Sequence, residues 1–365
     1  MNKLKRMTNG NVKLPLGILI SMITLVQCAS QPPVFDETAW IDLVNATDRA
    51  MLYAPHLNDD GAFFNPWMQR SPLRGKSSWF WSRMFGKKMH FDSFPQEQFS
   101  AVPNDYVYLS DNGFDSISYA GHSSLFIKMN NETIITDPFF SNSALVVRKK
   151  VRIKFDYSKF PQKPVVLISH NHYDHLDKSS VKNLVKKDAV FIVPLKLKDY
   201  LIKLGAREVH ELDWWESVSL GGITYTLLPA QHWSNRLGQK ARTTLWGSYM
   251  IEGSKTVYFS ADPGYFRGFE EFGERYEIDY AILGVGAYEP RWFMHYSHMN
   301  VAEFFRAADD LKANISIPMH FGVISLSEEP LLYPLYEIDR FITMFPEYSK
   351  RITPLRVGEF LQIAE

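Results

Sequence analysis

From residue 117 onward the chain alternates between short apolar runs and longer segments with helical spacing. Residues 117–129 and 133–136 read as strands. They are joined across Asn130-Asn131, a dipeptide that accepts the left-handed backbone of a tight hairpin turn. Residues 165–169 form a short strand, apolar up to Ser169, as expected of a strand buried on both faces. A helix is predicted over 179–187, a strand over 190–193 and a second helix over 195–204. Further strands are predicted at 223–228, 247–251, 256–260 and 280–284, and helices at 301–311 and 333–345. Interleaved strands and helices require sheets covered by helices. A two-sheet α/β sandwich (αββα) meets that requirement, and so does an open α/β sheet; spacing alone does not separate them.

Upstream the pattern breaks down. Residues 31–115 begin with a linker containing Pro32-Pro33, then become rich in Trp, Phe, Pro and Met without a clean period. Trp79-Phe80-Trp81 and the stretch 84–88 mix aromatics with cations. One reading is a set of loops packed on the main domain. The other is a surface for membrane or acyl chains, since aromatics and Lys suit the lipid interface. In residues 1–30, Lys3, Lys5, Arg6 and Lys13 precede an apolar run over 14–26 broken only by Ser21 and Thr24. That run has the length of a signal-peptide core and is too short to span a bilayer comfortably.

The run ends at Gln27-Cys28, and Cys28 is the only cysteine. The pattern resembles a bacterial lipoprotein signal in which Cys28 carries the lipid, although Gln27 stands where a small residue is usual. A plain signal peptide and a retained N-terminal anchor are the other readings. Ala29-Ser30, without Asp after the cysteine, points to an outer-membrane lipoprotein of the cell envelope. The expected organisation is a signal over 1–30, a linker and aromatic-rich extension over 31–115, and a catalytic domain over 116–365.

Composition narrows the class. At 365 residues, 45% hydrophobic and 15% aromatic, the chain can bury a large core and is not disordered. Forty basic residues balance forty acidic ones, so no global field draws the molecule to nucleic acid or to an anionic surface.

The strongest local signal is Ser169-His170-Asn171-His172-Tyr173-Asp174-His175, directly after the buried strand. Three imidazoles and a carboxylate within six residues offer nitrogen and hard oxygen donors, which suit zinc and similar divalent ions. The loop can wrap so that His170 and His172 reach one ion while Asp174 and His175 reach a neighbour. A chance match of this kind is on the order of one in a thousand. Other donors follow strands: His232 after Pro229-Ala230-Gln231, Asp262 before Pro263-Gly264, and His320 after Ile317-Pro318-Met319. Loops at one edge of a sheet are where a scaffold gathers a site.

The order His-x-His-x-Asp-His, then His, Asp and His, resembles the metallo-β-lactamase superfamily. The resemblance implies two divalent ions, most commonly zinc. His170, His172 and His232 would hold the first, and Asp174, His175 and His320 the second. Asp262 would bridge them, an anionic ligand offsetting the repulsion of cations about 3.5–4 Å apart. Iron-dependent members carry Glu where this chain has His172, so hydrolytic zinc chemistry is implied. The stretch Tyr119-Ala120-Gly121-His122-Ser123-Ser124 resembles a Gly-His-Ser strand of one branch, which would set His122 below the metals in support of a ligand. An ordinary core histidine is the other reading.

Gly286-Ala287-Tyr288-Glu289-Pro290-Arg291-Trp292-Phe293-Met294, with Tyr296, His298 and the His-Asn-His-Tyr-Asp-His-Leu-Asp run, is similar to the N-acyl-phosphatidylethanolamine-hydrolysing phospholipase D family. The similarity covers residues 63–345. Ser297 stands where that family has Gln, and Ala261-Asp262-Pro263-Gly264 replaces a Gly-Asp-Thr-Gly turn. The family implies phosphodiester hydrolysis of a membrane phospholipid, yielding an N-acylethanolamine and phosphatidic acid. Asp174 would orient the attacking hydroxide and take its proton, and His298 would contact the phosphate or protonate the leaving alcohol. Tyr288, Arg291 and Ser297 would face the substrate, with pairing to Glu289 as the alternative for Arg291. A lactonase or other small-ester hydrolase is the nearest competing reading. A non-catalytic, lipid-binding envelope lipoprotein is the competitor from another class.

Overall fold

A computed structural model describes residues 34–68, 89–102, 114–151 and 155–363. Cys28, the apolar run 14–26, Trp79-Phe80-Trp81 and the stretch 84–88 lie outside the described residues. In chain order the elements are α1 (Glu37–Asn45), β1 (Ser116–Gly121), β2 (Ser124–Met129), β3 (Glu132–Thr136), β4 (Ser143–Ala144), β5 (Val147–Arg148) and β6 (Val165–Leu167). There follow α2 (Lys178–Val185), β7 (Val190–Pro194), α3 (Lys198–Lys203), β8 (Glu208–Leu212), β9 (Ser217–Leu220), β10 (Ile223–Leu228), β11 (Ser248–Glu252) and β12 (Thr256–Phe259). The chain continues through α4 (Gly268–Arg275), β13 (Tyr280–Gly284), α5 (Arg291–Met294), α6 (Val301–Leu311), β14 (Ile315–Met319), α7 (Tyr333–Met344) and β15 (Phe360–Gln362).

The strands form two main sheets, ordered β15-β1-β2-β3-β6-β7-β8 and β14-β13-β12-β11-β10-β9. Alternation along the strands explains how the sheets face each other. Val165 and Leu167 of β6, Ile192 of β7 and Ile134 of β3 join Tyr225, Leu227, Tyr249 and Ile251 of the second sheet in one core. Their neighbours Val166, Phe191, Val193 and Ile135 point the other way, onto Val181 and Leu184 of α2 and Leu201 of α3. The Tyr249 hydroxyl crosses between the sheets and donates to the Ile168 carbonyl at 2.9 Å. Helices α4 and α6 cover the second sheet, with Phe269, Phe272, Phe304 and Leu311 buried. This is the sandwich, not the open sheet.

Strand directions decide where the loops gather. In the first sheet β3, β6, β7 and β8 are parallel, and β1, separated from β3 by an antiparallel β2, runs the same way. In the second, β12, β13 and β14 are parallel, and β10 shares their direction through the antiparallel β11. Every chain exit after β1, β3 and β6, and every exit after β10, β12, β13 and β14, therefore lies at a common edge of its own sheet.

Two expectations need correction. The single strand over 117–129 is a hairpin, β1 and β2, turning at Gly121 (φ +102°) and His122 (φ +59°). A Cβ at Gly121 would sit 2.5 Å from a Val323 methyl, so only glycine fits this buried turn. The region before residue 115 contains a regular helix, α1, capped by the Asp36 side chain accepting from Ala39 N at 3.0 Å. Trp40, Val44, Leu52, Phe63 and Trp67 from that region are buried in the same core as the sheets. No helix among the described residues is long and apolar enough to cross a membrane.

Candidate metal centre

The loop after β6 is held in one shape by a single cation. Arg236, itself buried, donates to the Asn171 and Leu176 carbonyls, each at 2.9 Å, and stacks over Tyr173 with 4.1 Å to the ring centre. Leu176 N bonds to the His172 carbonyl at 2.9 Å, and Asp177 caps α2 just beyond. The four donor residues of the loop thereby turn to one side.

Three of the nitrogens converge. His170 Nε2 lies 2.8 Å from His172 Nδ1, and His232 Nε2 lies 3.3 Å from the same atom. The hydrogen-bond network sets the tautomers of His170 and His232. His170 Nδ1 donates to Ser169 Oγ at 2.8 Å and His232 Nδ1 to the Ser297 carbonyl at 3.2 Å, so both Nε2 atoms present lone pairs. Lone pairs that face each other repel unless a cation lies between them.

A second set gathers His122, Asp174, His175 and His320, with donor atoms within 4.8 Å of one another. Asp262 Oδ2 lies 2.8 Å from both His175 Nε2 and His320 Nε2, while Oδ1 accepts from Ser123 Oγ at 3.2 Å. His172 Nε2, His175 Nε2 and His320 Nε2 are buried and lack a hydrogen-bond partner among the described residues. Leaving such groups unsatisfied costs about 1–3 kcal/mol each, a cost that ligation removes at His175 and His320, whereas His172 faces the first set through Nδ1. The residues present fit metal ions.

The electrostatics keep most of the donors in their ligating forms. At His175 burial is outweighed by Asp262, Asp174 and Asp137 together, which raise it well above the ordinary histidine range, so a metal ion would take the place of its proton. Burial lowers His170 and His232 well below the ordinary histidine range, and neighbouring imidazoles add to it. Burial brings His172 down to about 4 despite Asp174 nearby. Burial would raise Asp174 and Asp262, but the histidines beside them, His175 with His122 at Asp174 and His175 with His320 at Asp262, together outweigh it and hold both carboxyls well below their usual values. Neutral imidazoles and ionised carboxylates are the forms that bind metal.

Asp137, at the exit of β3, was not among the expected residues. It is fully buried and accepts from His175 Nδ1 at 2.7 Å, from Ser169 N at 2.7 Å and from Ser169 Oγ at 2.5 Å. It aims His175 directly and His170 through Ser169, the role of a carboxylate behind a ligating histidine. The available signal was an acid between a buried strand and Pro138.

His122 stands against the second set. Its Nε2 is 2.8 Å from Asp174 Oδ2, its ring lies 4.1 Å from that of His320, and its carbonyl accepts from His320 N at 2.8 Å. His298 is half-buried, with its ring 5.5 Å from His232 and 5.4 Å from His320, between the two donor sets.

The three residues expected to face substrate are otherwise engaged. Arg291 is buried and donates to Glu37 at 2.8 Å, to Glu303 at 2.8 Å and to the His298 carbonyl at 3.1 Å. Its guanidinium has no free fork for a phosphate. Glu289 accepts from the Arg291 backbone N at 2.9 Å, and among the described residues the Arg291 guanidinium makes its ion pairs with Glu37 and Glu303 instead. The Tyr288 hydroxyl donates to Glu337 of α7. Ser297 is buried and serves through its carbonyl, which orients His232. The block is similar in sequence to a substrate-facing segment, but the Arg291 and Tyr288 side chains brace the loop that carries His298, and Ser297 acts through its backbone.

Comparison with known proteins agrees with this geometry. A family model described as a beta-lactamase superfamily domain matches residues 132–321, which include every proposed metal ligand. An uncharacterized protein of Mycobacterium tuberculosis (strain ATCC 25618 / H37Rv) is 32% identical over 269 residues, 70% of this chain and 70% of that protein. The mitochondrial N-acyl-phosphatidylethanolamine-hydrolyzing phospholipase D of Saccharomyces cerevisiae is 30% identical over 238 residues, 61% of this chain and 50% of the yeast protein. The chain thus spans about half the length of that relative. The crystal structure of a possible metal-dependent hydrolase from Veillonella parvula DSM 2008 aligns with a TM-score of 0.58 at 16% identity, over 68% of this chain and 100% of that one.

Proposed function

The chain belongs to the metallo-β-lactamase superfamily of metal-dependent hydrolases, and on that premise we propose that it is a phospholipase D-type phosphodiesterase. Its substrate in this reading is N-acyl-phosphatidylethanolamine, and its products are an N-acylethanolamine and phosphatidic acid. The carrying observation is the pair of donor sets at one edge, His170, His172 and His232 beside Asp174, His175 and His320, with His298 between them. The histidine-rich donors favour zinc. Two such ions, when bound, make hydroxide available at neutral pH and offset charge on phosphoryl oxygens.

The chain's own residues supply the rest. Asp174, held by His122, orients the attacking water and takes its proton. Asp262 is the candidate bridging carboxylate. His298 contacts the phosphate or the leaving oxygen, and Arg291 fixes its position through the His298 carbonyl. The resemblance to the yeast enzyme supports the lipid substrate. Cys28 is proposed to carry lipid and hold the enzyme at the cell envelope; an unmodified cysteine with the segment 14–26 still attached, by mass spectrometry, would replace the lipoprotein with an N-terminally anchored form.

Metal-loaded protein assayed against N-acyl-phosphatidylethanolamine, bis-p-nitrophenyl phosphate and a panel of lactones tests the proposal. Hydrolysis of both diesters is expected; turnover confined to lactones would make the protein a lactonase, and none at all a binding protein. In the same assay His298→Ala should retain metal and fold while kcat falls roughly 10²-fold. Unchanged kcat with a lowered melting temperature would remove His298 from the chemistry.

A further inference from the structure

The chain leaving β3 exits at the edge of the sheet that carries His170, because β3 and β6 are parallel. It does not return at once. It folds into the small β4–β5 hairpin, pairing Ser143 with Arg148 and Ala144 with Val147. At its tip Leu145, Val146 and Val147 are 56%, 84% and 36% exposed. Aliphatic side chains this accessible, on an isolated two-stranded edge, are a liability in water unless something covers them.

The hairpin is fixed to the site. Lys150 N and Val151 N both donate to the Val323 carbonyl, at 2.7 Å and 3.3 Å, three residues after His320. Lys149 turns inward, donating to the Phe139 carbonyl and lying 4.0 Å above the Phe139 ring. The loop after His232 also exposes an aliphatic side chain, Leu237 (81%), whose backbone N is tied to the Tyr173 hydroxyl at 3.2 Å.

Charge selects the occupant. Arg148 and Lys150, next to the tip, are exposed and have no ion-pair partner among the described residues. Residues 138–155 contain five cations (Arg148, Lys149, Lys150, Arg152 and Lys154) and no acid, in a chain whose net charge is zero. An apolar tip backed by unpaired cations fits the headgroup boundary of an anionic bilayer, where aliphatic groups meet acyl carbons and cations meet phosphates.

We propose that the β4–β5 hairpin is a membrane contact of this protein, with Leu145, Val146 and Val147 entering an anionic lipid surface and Arg148 and Lys150 holding its phosphates. This presents the metal centre to the bilayer on one side. The inference rests on the reading of a membrane-lipid substrate for its purpose, but its test requires no hydrolysis.

The full-length chain carrying Val146→Cys in a Cys28→Ser background is labelled with an environment-sensitive fluorophore. It is then mixed with vesicles of phosphatidylcholine and phosphatidylglycerol whose acyl chains are brominated near the headgroup. The label should be quenched, and Arg148→Glu with Lys150→Glu should weaken that quenching about tenfold or more in apparent affinity. A label that stays unquenched while the protein sediments with vesicles overturns the proposal. So does a response to protein concentration without lipid, which would make the tip an interface between copies. Quenching without any hydrolysis of N-acyl-phosphatidylethanolamine would leave this contact standing and remove the phospholipase reading alone.

Discussion

Asp262→Ala protein should emerge folded, with both metal equivalents gone and turnover of bis-p-nitrophenyl phosphate reduced on the order of 10³-fold or more. That is the scale of losing several kcal/mol of charge stabilisation in the transition state. The expectation rests on where the carboxylate sits. Its Oδ2 is 2.8 Å from a nitrogen of His175 and 2.8 Å from one of His320, and Ser123 holds the other oxygen. Without it, the second donor set keeps Asp174 as its sole anion, and the proposed shared ligand is lost. Asp262→Asn, close in shape, should fail in the same way, separating lost charge from lost packing. Elemental analysis alongside kinetics checks both claims. Wild type that takes up one equivalent or fewer after reconstitution would sink the two-metal mechanism, and a variant that keeps one would limit Asp262 to a single ion.

Arg291→Ala is expected to be the most damaging substitution for stability, at about 3–5 kcal/mol, the cost of removing one partner from a buried ion pair. Glu303 is 2% exposed and also accepts from the Trp40 indole at 2.8 Å, so the arginine ties α1 to α6. Burial already raises the Glu303 carboxyl against the pull of Arg291. Removing the guanidinium leaves that acid without its counter-charge. Arg291→Lys should recover little, because an ammonium cannot reach Glu37, Glu303 and the His298 carbonyl together. Pairing Arg291→Met with Glu303→Gln should recover much of the loss. Urea unfolding and steady-state kinetics on one preparation separate the roles. A variant of normal stability with a raised KM would return Arg291 to the phosphate.

The same arginine shows why parts of the site were illegible in the sequence. The metal donors could be read because their chemistry is local: three imidazoles and an acid crowded into one loop are rare outside a metal site. The edge that collects His232, Asp262 and His320 follows from strand order, which short apolar runs hint at without proving. The partners of Arg291, Tyr288 and Ser297 are set by contacts across 254, 49 and 65 positions of chain, and no spacing rule reaches that far. Asp137 escaped for a related reason: one carboxylate before a proline looks like a turn until the fold brings His175 against it. The β1–β2 hairpin is marked in the sequence only by the polar pause Gly121-His122-Ser123-Ser124, and that pause reads as part of a strand because its residues are buried like the strands on either side. Helix α4 was obscured by Gly268 and Gly273, the latter required where a Cβ would collide with the Asp310 carbonyl oxygen.

The donors divide between the two layers of the protein. His170, His172, Asp174 and His175 hang from the first sheet, and His232, Asp262 and His320 from the second. Each ion bound there would rivet one layer to the other, and its binding energy would add to whatever already resists their separation. With free metal a thousand-fold above its dissociation constant, that addition is about 4 kcal/mol. Catalytic competence and resistance to unfolding would then rise on one titration curve. A cell short of metal would hold copies that are at once idle and easier to degrade, so scarcity would thin the enzyme population as well as silence it.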